Sequence, residues 1–128
     1  MPVKRILVVD DDSNSRRFFE LCLEGWGFDS VVVNNGEDAL AVLDEDEEGF
    51  DLIITDVMMP FTTGFELTQT LKESPATANI PVLAVSAFYD WNQARKEGEL
   101  PVDGFMTKPV SKEKLRQEID RLLSKGAK

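Results

Sequence analysis

The chain has 128 residues, 42% of them hydrophobic, which suits one domain with a real core and leaves no room for a second. With 24 acidic residues against 14 basic ones the net charge is −10, which argues against nonspecific binding to nucleic acid or an anionic membrane and expects positive charge on a docking partner. The absence of histidine excludes histidine catalysis and histidine metal sites and makes a phosphohistidine carrier a poor fit. The single cysteine, Cys22, excludes an internal disulfide, and with no signal peptide and no apolar run of membrane-spanning length a cytoplasmic location is expected.

In chain order, residues 3–9 read as a buried strand whose apolar run Ile6-Leu7-Val8-Val9 ends on Asp10-Asp11-Asp12. Those acids and Ser13-Asn14-Ser15 supply N-capping groups for a helix, in which Phe19, Cys22, Leu23 and Trp26 make one apolar face that stops at Gly25 and Gly27. Residues 29–33 form a second strand, Asn34-Asn35-Gly36 a turn, and residues 37–45 a helix with Ala39, Leu40 and Leu43 inward. The acidic stretch 45–49 reads as a solvated loop. Residues 44–49 imitate the first half of a calcium loop, but Thr55 stands where the bidentate glutamate belongs and a strand begins inside it, so calcium is rejected.

The third strand, 50–55, runs through Leu52-Ile53-Ile54-Thr55 to Asp56, and Pro60 breaks it, which places Asp56 at the carboxyl end of a buried strand, facing a loop. A helix over 63–73 puts Gly64, Leu67 and Leu71 on one side and stops at Ser74-Pro75. Residues 80–85 are a fourth strand ending at Ser86. A polar helix over 90–98 has little besides Trp91 and Ala94 to bury, so its hold on the core is expected to be loose. Residues 102–107 give a fifth strand ending at Lys108-Pro109. A final helix over 111–124 rests on Leu115, Ile119 and Leu122 and is capped by Ser111 alone, with 125–128 expected as a disordered tail.

Five alternations of strand and helix with short links predict an α/β fold: one doubly wound (βα)5 domain spanning 1–128, its five strands in one parallel sheet covered on both sides. The carboxyl ends of the strands then share one edge, where such sheets bind ligands. That edge collects Asp10, Asp11, Asp56, Ser86 and Lys108.

Two unit charges about 4 Å apart repel by roughly 4 kcal/mol at an effective dielectric near 20, so three carboxylates gathered there need compensation. An all-oxygen, carboxylate-rich set selects a hard divalent ion such as Mg2+, which keeps waters and leaves positions for a phosphate oxygen. A phosphoryl group on one carboxylate can then rest its oxygens on the cation, the Lys108 ammonium and the Ser86 hydroxyl. Aspartate, ionised at neutral pH, needs no general base to act as a nucleophile. Taken singly these residues have plainer readings. Asp12 is a turn or helix cap, Lys108 a surface lysine, Ser86 a strand-end serine bonding locally and Phe105 ordinary core, while Trp26, Tyr89 and Trp91 are packing or surface residues.

Taken together, Val8-Val9-Asp10-Asp11-Asp12, the stretch from Asp56 through Pro60, Gly64, Ser86-Ala87 and Lys108-Pro109 resemble the receiver domain of two-component response regulators, over about residues 4–123. The resemblance implies the flavodoxin-like strand order 2-1-3-4-5 and a phosphoacceptor signalling domain, not an enzyme, that assists its own phosphorylation and dephosphorylation. Asp56 would accept a phosphoryl group from a phosphohistidine on a sensor histidine kinase or a histidine phosphotransfer protein. Asp11 would bind Mg2+ directly and Asp10 largely through water, with the Met58 backbone carbonyl completing the protein ligands beside Asp56. Ser86 and Lys108 would grip the phosphoryl oxygens, and the Lys108-Pro109 peptide would be cis. Phe105 sits at the family's switching aromatic: as Ser86 turns to the phosphate, Phe105 would turn inward and change the face of the fourth helix, fifth strand and last helix that a protein target reads. Phe105 lacks the hydroxyl of the usual tyrosine, so its switch works through shape and burial, and Leu100-Pro101-Val102 replaces the small residues that usually precede Asp103-Gly104. Bulky Phe88 is expected to restrict water and slow self-dephosphorylation. Phosphate lifetime in Phe88→Ala should then be shorter than in the wild type, and equal lifetimes would refute it.

Two further readings compete. A Mg2+-dependent phosphatase using Asp10 or Asp56 as nucleophile is disfavoured, because the chain lacks Asp-x-Asp-x-Thr and carries Asn14 where the threonine belongs. A degenerate receiver that binds partners without phosphorylation is disfavoured by the intact constellation. Only Gly126-Ala127-Lys128 follow the last helix, which expects a free-standing module, with excision from a hybrid kinase or longer regulator as the alternative.

Overall fold

The apolar runs of the sequence become the interior strands of one sheet. The computed structural model describes residues 3–45, 49–56, 64–75, 77–86 and 102–126, with backbone alone at 64–68 and 125–126. Its elements are β1 (Arg5–Val9), α1 (Ser13–Gly25), β2 (Asp29–Val33), α2 (Gly36–Glu45), β3 (Leu52–Asp56), α3 (Gly64–Glu73), β4 (Val82–Ser86), β5 (Gly104–Thr107) and α4 (Lys112–Gly126). All pairings are parallel and the strand order is β2-β1-β3-β4-β5, as expected. The chain leaves β1 outward to β2 and then returns across it to β3, so the order reverses between β1 and β3. The crevice at such a reversal is where open α/β sheets bind ligands.

Ile6 to Val9, Leu52 to Ile54 and Val82 to Val85 are each at most 1% exposed, because helices cover both faces of the sheet. Strand alternation divides them. Ile6, Val8, Leu52, Ile54, Leu83, Val85 and Met106 pack against Phe19, Cys22 and Leu23 of α1 and Leu115, Ile119 and Leu122 of α4. Leu7, Val9, Ile53 and Val82 pack on the other side with Ala39 and Leu71, while Leu40 and Leu43 are half-buried against them. Asp12 caps α1, its Oδ2 accepting the Ser15 N–H at 3.0 Å, so the cap is the last acid of the triplet and not one of the three residues after it. At the other end, Gly27 takes φ +85, a conformation that disfavours a side chain, and lets the Phe28 N–H reach the Leu23 carbonyl at 2.9 Å.

Several boundaries differ from the sequence expectation for identifiable reasons. β1 starts at Arg5, because β2 offers no partner before Asp29 and Val3 is 58% exposed. β4 starts at Val82: the Ile80 N–H is spent on the Thr77 carbonyl in a turn, and Pro81 has none. β3 runs from Leu52 to Asp56, displaced from 50–55, since Asp51 turns its carboxylate onto the Arg5 N–H at 2.8 Å and Asp56 pairs with Val85. α4 continues to Gly126, so Lys125 and Gly126 belong to the helix and not to the expected disordered tail. The expected helix over 90–98, together with Met58, Pro60, Ala87, Phe88 and the acidic residues 46–48, lies outside the described residues.

β5 starts at Gly104 and not at residue 102, because Asp103 is bent into a clamp. Its Oδ2 accepts the Val82 N–H at 2.8 Å and the Lys72 ammonium at 3.0 Å, while its own N–H donates to the Val82 carbonyl at 2.9 Å. Asp103→Ala would strand the Val82 N–H at the foot of a buried strand. It is expected to destabilise the fold by about 1–3 kcal/mol in chemical denaturation, with Asp103→Asn recovering part of the loss because its amide oxygen can still accept. An unchanged midpoint for the alanine variant would show the clamp to be ornamental.

Candidate functional site

Alternation delivers three charged groups to one end of one face. Asp10 follows Ile6 and Val8, Asp56 follows Leu52 and Ile54, and Lys108 follows Gly104 and Met106. Two backbone bonds extend the ladder just past the strands: the Asp10 N–H donates to the Val33 carbonyl at 3.1 Å, and the Lys108 N–H to the Ser86 carbonyl at 2.9 Å. The Lys108-Pro109 peptide is cis.

There the Lys108 ammonium lies 2.9 Å from Asp10 Oδ2 and 3.0 Å from Asp56 Oδ2. Asp10, Asp11 and Asp56 each offer a carboxylate oxygen, all within 4.8 Å of one another. Asp10 is 1% and Asp56 6% exposed, whereas Asp11 stands at the open side of the pocket. Asp10 Oδ1 accepts the Asp12 N–H at 2.9 Å. Asp10 Oδ2 is ion-paired to Lys108 without the alignment of a hydrogen bond, and it is the one buried side-chain acceptor without a hydrogen bond among the described residues.

Among the described residues the acids of this pocket outnumber its positive groups. Burial pushes the Asp10 pKa above its ordinary value, outweighing the Asp12 N–H and Lys108, and the Asp56 charge adds to the rise. Burial pulls Lys108 down, but the Asp10 and Asp56 carboxylates more than reverse it and hold the ammonium charged. Among the described residues one ammonium thus serves two of the three acids, Asp10 and Asp56, with Asp11 beside them. A cluster of oxygen donors, one of them buried and lacking a hydrogen bond, fits a hard divalent cation such as Mg2+. Of the expected ligands, Asp10, Asp11 and Asp56 are brought together, while Met58 lies outside the described residues.

A pH dependence follows. An acid whose pKa is raised in the folded state makes that state bind the proton more tightly, so folding stability falls as pH rises through the interval above 3.8. In chelator, the denaturation midpoint is expected to show this loss and Mg2+ to restore it at neutral pH. Asp10→Asn should lack the titration, and an identical pH profile for the two proteins would refute the assignment.

Ser86 is fully buried at the end of β4, on the same edge as the acids, but alternation aligns it with Val82 and Ala84 on the opposite face. Phe105 pairs with Ala84 and Thr107 with Ser86, so half-buried Phe105 shares the face of Ser86 one step away. Sequence reasoning passed over Arg16, whose Nη1 donates to the Asp10 carbonyl at 2.9 Å. Its signal was an arginine in the first turn of a helix, the end where the backbone dipole disfavours a cation.

A sequence-family model of the response regulator receiver domain matches residues 6–120. The chain is 37% identical over 93% of its length to part of the 3',5'-cyclic-nucleotide phosphodiesterase regA of Dictyostelium discoideum, covering 15% of that protein. It is 30% identical to the chemotaxis protein CheY of Pseudomonas aeruginosa, covering 94% of this chain and 97% of that one. Among solved structures, the signal receiver domain of a signal transduction histidine kinase from Syntrophus aciditrophicus superposes with a TM-score of 0.87 at 33% identity, covering 98% of this chain and 93% of that one. The chain spans about half the length of several other relatives that it matches.

Proposed function

The chain belongs to the response regulator receiver family, and from that premise we propose that it is a phosphorylation-switched signalling module whose phosphoacceptor is Asp56. One observation carries the choice of residue: the Asp56 carboxylate sits 3.0 Å from the Lys108 ammonium and within the 4.8 Å cluster that includes Asp10 and Asp11.

In the proposed transfer the N–P bond of a phosphohistidine donor breaks as an O–P bond forms to Asp56, and the departing imidazole keeps the electron pair. The donor is a sensor histidine kinase or a histidine phosphotransfer protein. Lys108 holds a phosphoryl oxygen where it now pairs with carboxylates, and Ser86 contributes its hydroxyl. Asp10, Asp11 and Asp56, with the Met58 carbonyl, would hold Mg2+, which neutralises charge on the transferred group. A carboxylate nucleophile needs no general base, in keeping with a chain that has no histidine. The switch runs from Ser86 to Phe105, supported by their shared face of the sheet, and alters the surface of β5, α4 and the expected 90–98 helix, where the protein target docks.

A net charge of −10 supports protein partners over nucleic acid or membrane, and among the described residues no helix is long and apolar enough to cross a membrane. Cytoplasmic placement is part of the proposal. The phosphatase alternative loses further ground from Asp12. The second acid of an Asp-x-Asp pair would face the reacting group, whereas the Asp12 carboxylate is engaged by the Ser15 N–H and hydroxyl at 3.0 and 2.9 Å.

Incubation with acetyl phosphate and Mg2+ followed by intact mass is the test. Gain of one phosphate, blocked by chelator, is the expected result. No gain would overturn the proposal, and steady hydrolysis of small phosphoesters would favour the phosphatase.

A further inference from the structure

The first turn of α1 breaks a local rule. It carries no acid, and Arg16 and Arg17 follow one another at the helix end whose partial charge is already positive. Conflicts of this kind between local preference and position gather at functional sites. For Arg17 the compensation is Glu20, 2.9 Å away in an exposed pair. Arg16 points elsewhere, donating from half-buried Nη1 to the carbonyl of Asp10, six residues back, at 2.9 Å.

That carbonyl belongs to the peptide joining Asp10 to Asp11. Asp10 is also held by other means, through the Val33 carbonyl at 3.1 Å and the Asp12 N–H at 2.9 Å. Asp11 is different: it is exposed, and among the described residues no hydrogen bond or ion pair holds its carboxylate. The direction of that side chain is therefore set by its own backbone, and the planar peptide in front of it is the one Arg16 anchors. Rotation of that plane would carry the Asp11 carboxylate out of the 4.8 Å cluster.

We propose that Arg16 is a positioning residue of the divalent-cation site, fixing the Asp10–Asp11 peptide so that the Asp11 carboxylate stays within reach of Asp10 and Asp56. The inference rests on the reading of this pocket as the Mg2+ site. Its test gains force from a conflict of signs. A guanidinium near a cation site repels the cation, so loss of the charge alone would tighten Mg2+ binding, whereas loss of positioning weakens it.

Calorimetric titration with Mg2+ should therefore give Arg16→Met, which keeps an unbranched stem without donor or charge, a Kd about tenfold above that of the wild type. Arg16→Lys, which retains both a donor and the charge, should fall closer to the wild type. In the metal-free proteins the amide resonance of Asp11 should move in Arg16→Met while those of core residues Leu115 and Ile119 do not. Binding by Arg16→Met as tight as the wild type, or tighter, overturns the proposal. So does weakened binding in which the core resonances move as much as that of Asp11, since that would mark disruption of α1. Failure of the wild type itself to bind Mg2+ overturns the reading of the pocket, and this inference with it.

Discussion

Asp56→Asn is expected to abolish phosphorylation by acetyl phosphate, leaving no added mass where the wild type gains one phosphate. The amide matches the carboxylate in size but carries no charge and is a poor nucleophile, so the reacting oxygen disappears without a change of shape. The fold should survive. Asp56 is the last residue of β3, its backbone pairing with Val85 does not involve the side chain, and Lys108 keeps Asp10 at 2.9 Å. Removing one member of a crowded acid cluster also relieves repulsion, so the metal-free variant should be at least as stable as the wild type. Equal labelling of the two proteins would move the phosphoacceptor to another residue, with Asp10 and Asp11 the first to be mapped by peptide mass.

Lys108→Met is expected to move three quantities in a pattern that simple damage would not produce. Among the described residues the ammonium is the positive group within 3.0 Å of both Asp10 and Asp56, and its side chain is 19% exposed. Without it, two largely buried carboxylates face each other within 4.8 Å, a repulsion of about 3 kcal/mol at an effective dielectric near 20. Asp10, already raised by burial, takes up a proton more readily and relieves part of this, so the expected loss in chelator at neutral pH is about 1–3 kcal/mol. Mg2+ should return most of it by binding only the folded state. The same variant should bind Mg2+ more tightly, since the ammonium no longer competes for those oxygens, and yet accept phosphate poorly, since nothing replaces its grip on the phosphoryl group. Weaker Mg2+ binding in Lys108→Met would contradict the picture of a lysine that shares its carboxylates with the metal.

The parts of the fold that the sequence announces are those where one physical requirement acts alone. Val82 to Val85 and Leu52 to Ile54 must be apolar because helices cover both faces of the sheet, and the strands lie where those runs lie. Boundaries were less legible because they depend on distant partners. Asp103 ends the approach to β5 by bonding the start of β4, and Asp51 does the same for β1 from the foot of β3. A local reading sees only an acid in a loop at either place.

The same division runs through the site. Apolar runs that end on Asp10 and Asp56, an invariant alternation of side chains along a strand and a chain rich in acids are properties of the sequence, because they depend on neighbours in the chain and on composition. That Lys108 stands 2.9 Å from Asp10 while Ser86 belongs with Phe105 on the other face, and that Arg16 reaches back to the carbonyl between two acids, was decided by sheet register and by the way α1 lies against β1. Register sets distances between residues far apart in the chain, and at this pocket a few ångströms separate an ion pair from an orphaned charge, so the chemistry there waits on the assembled sheet.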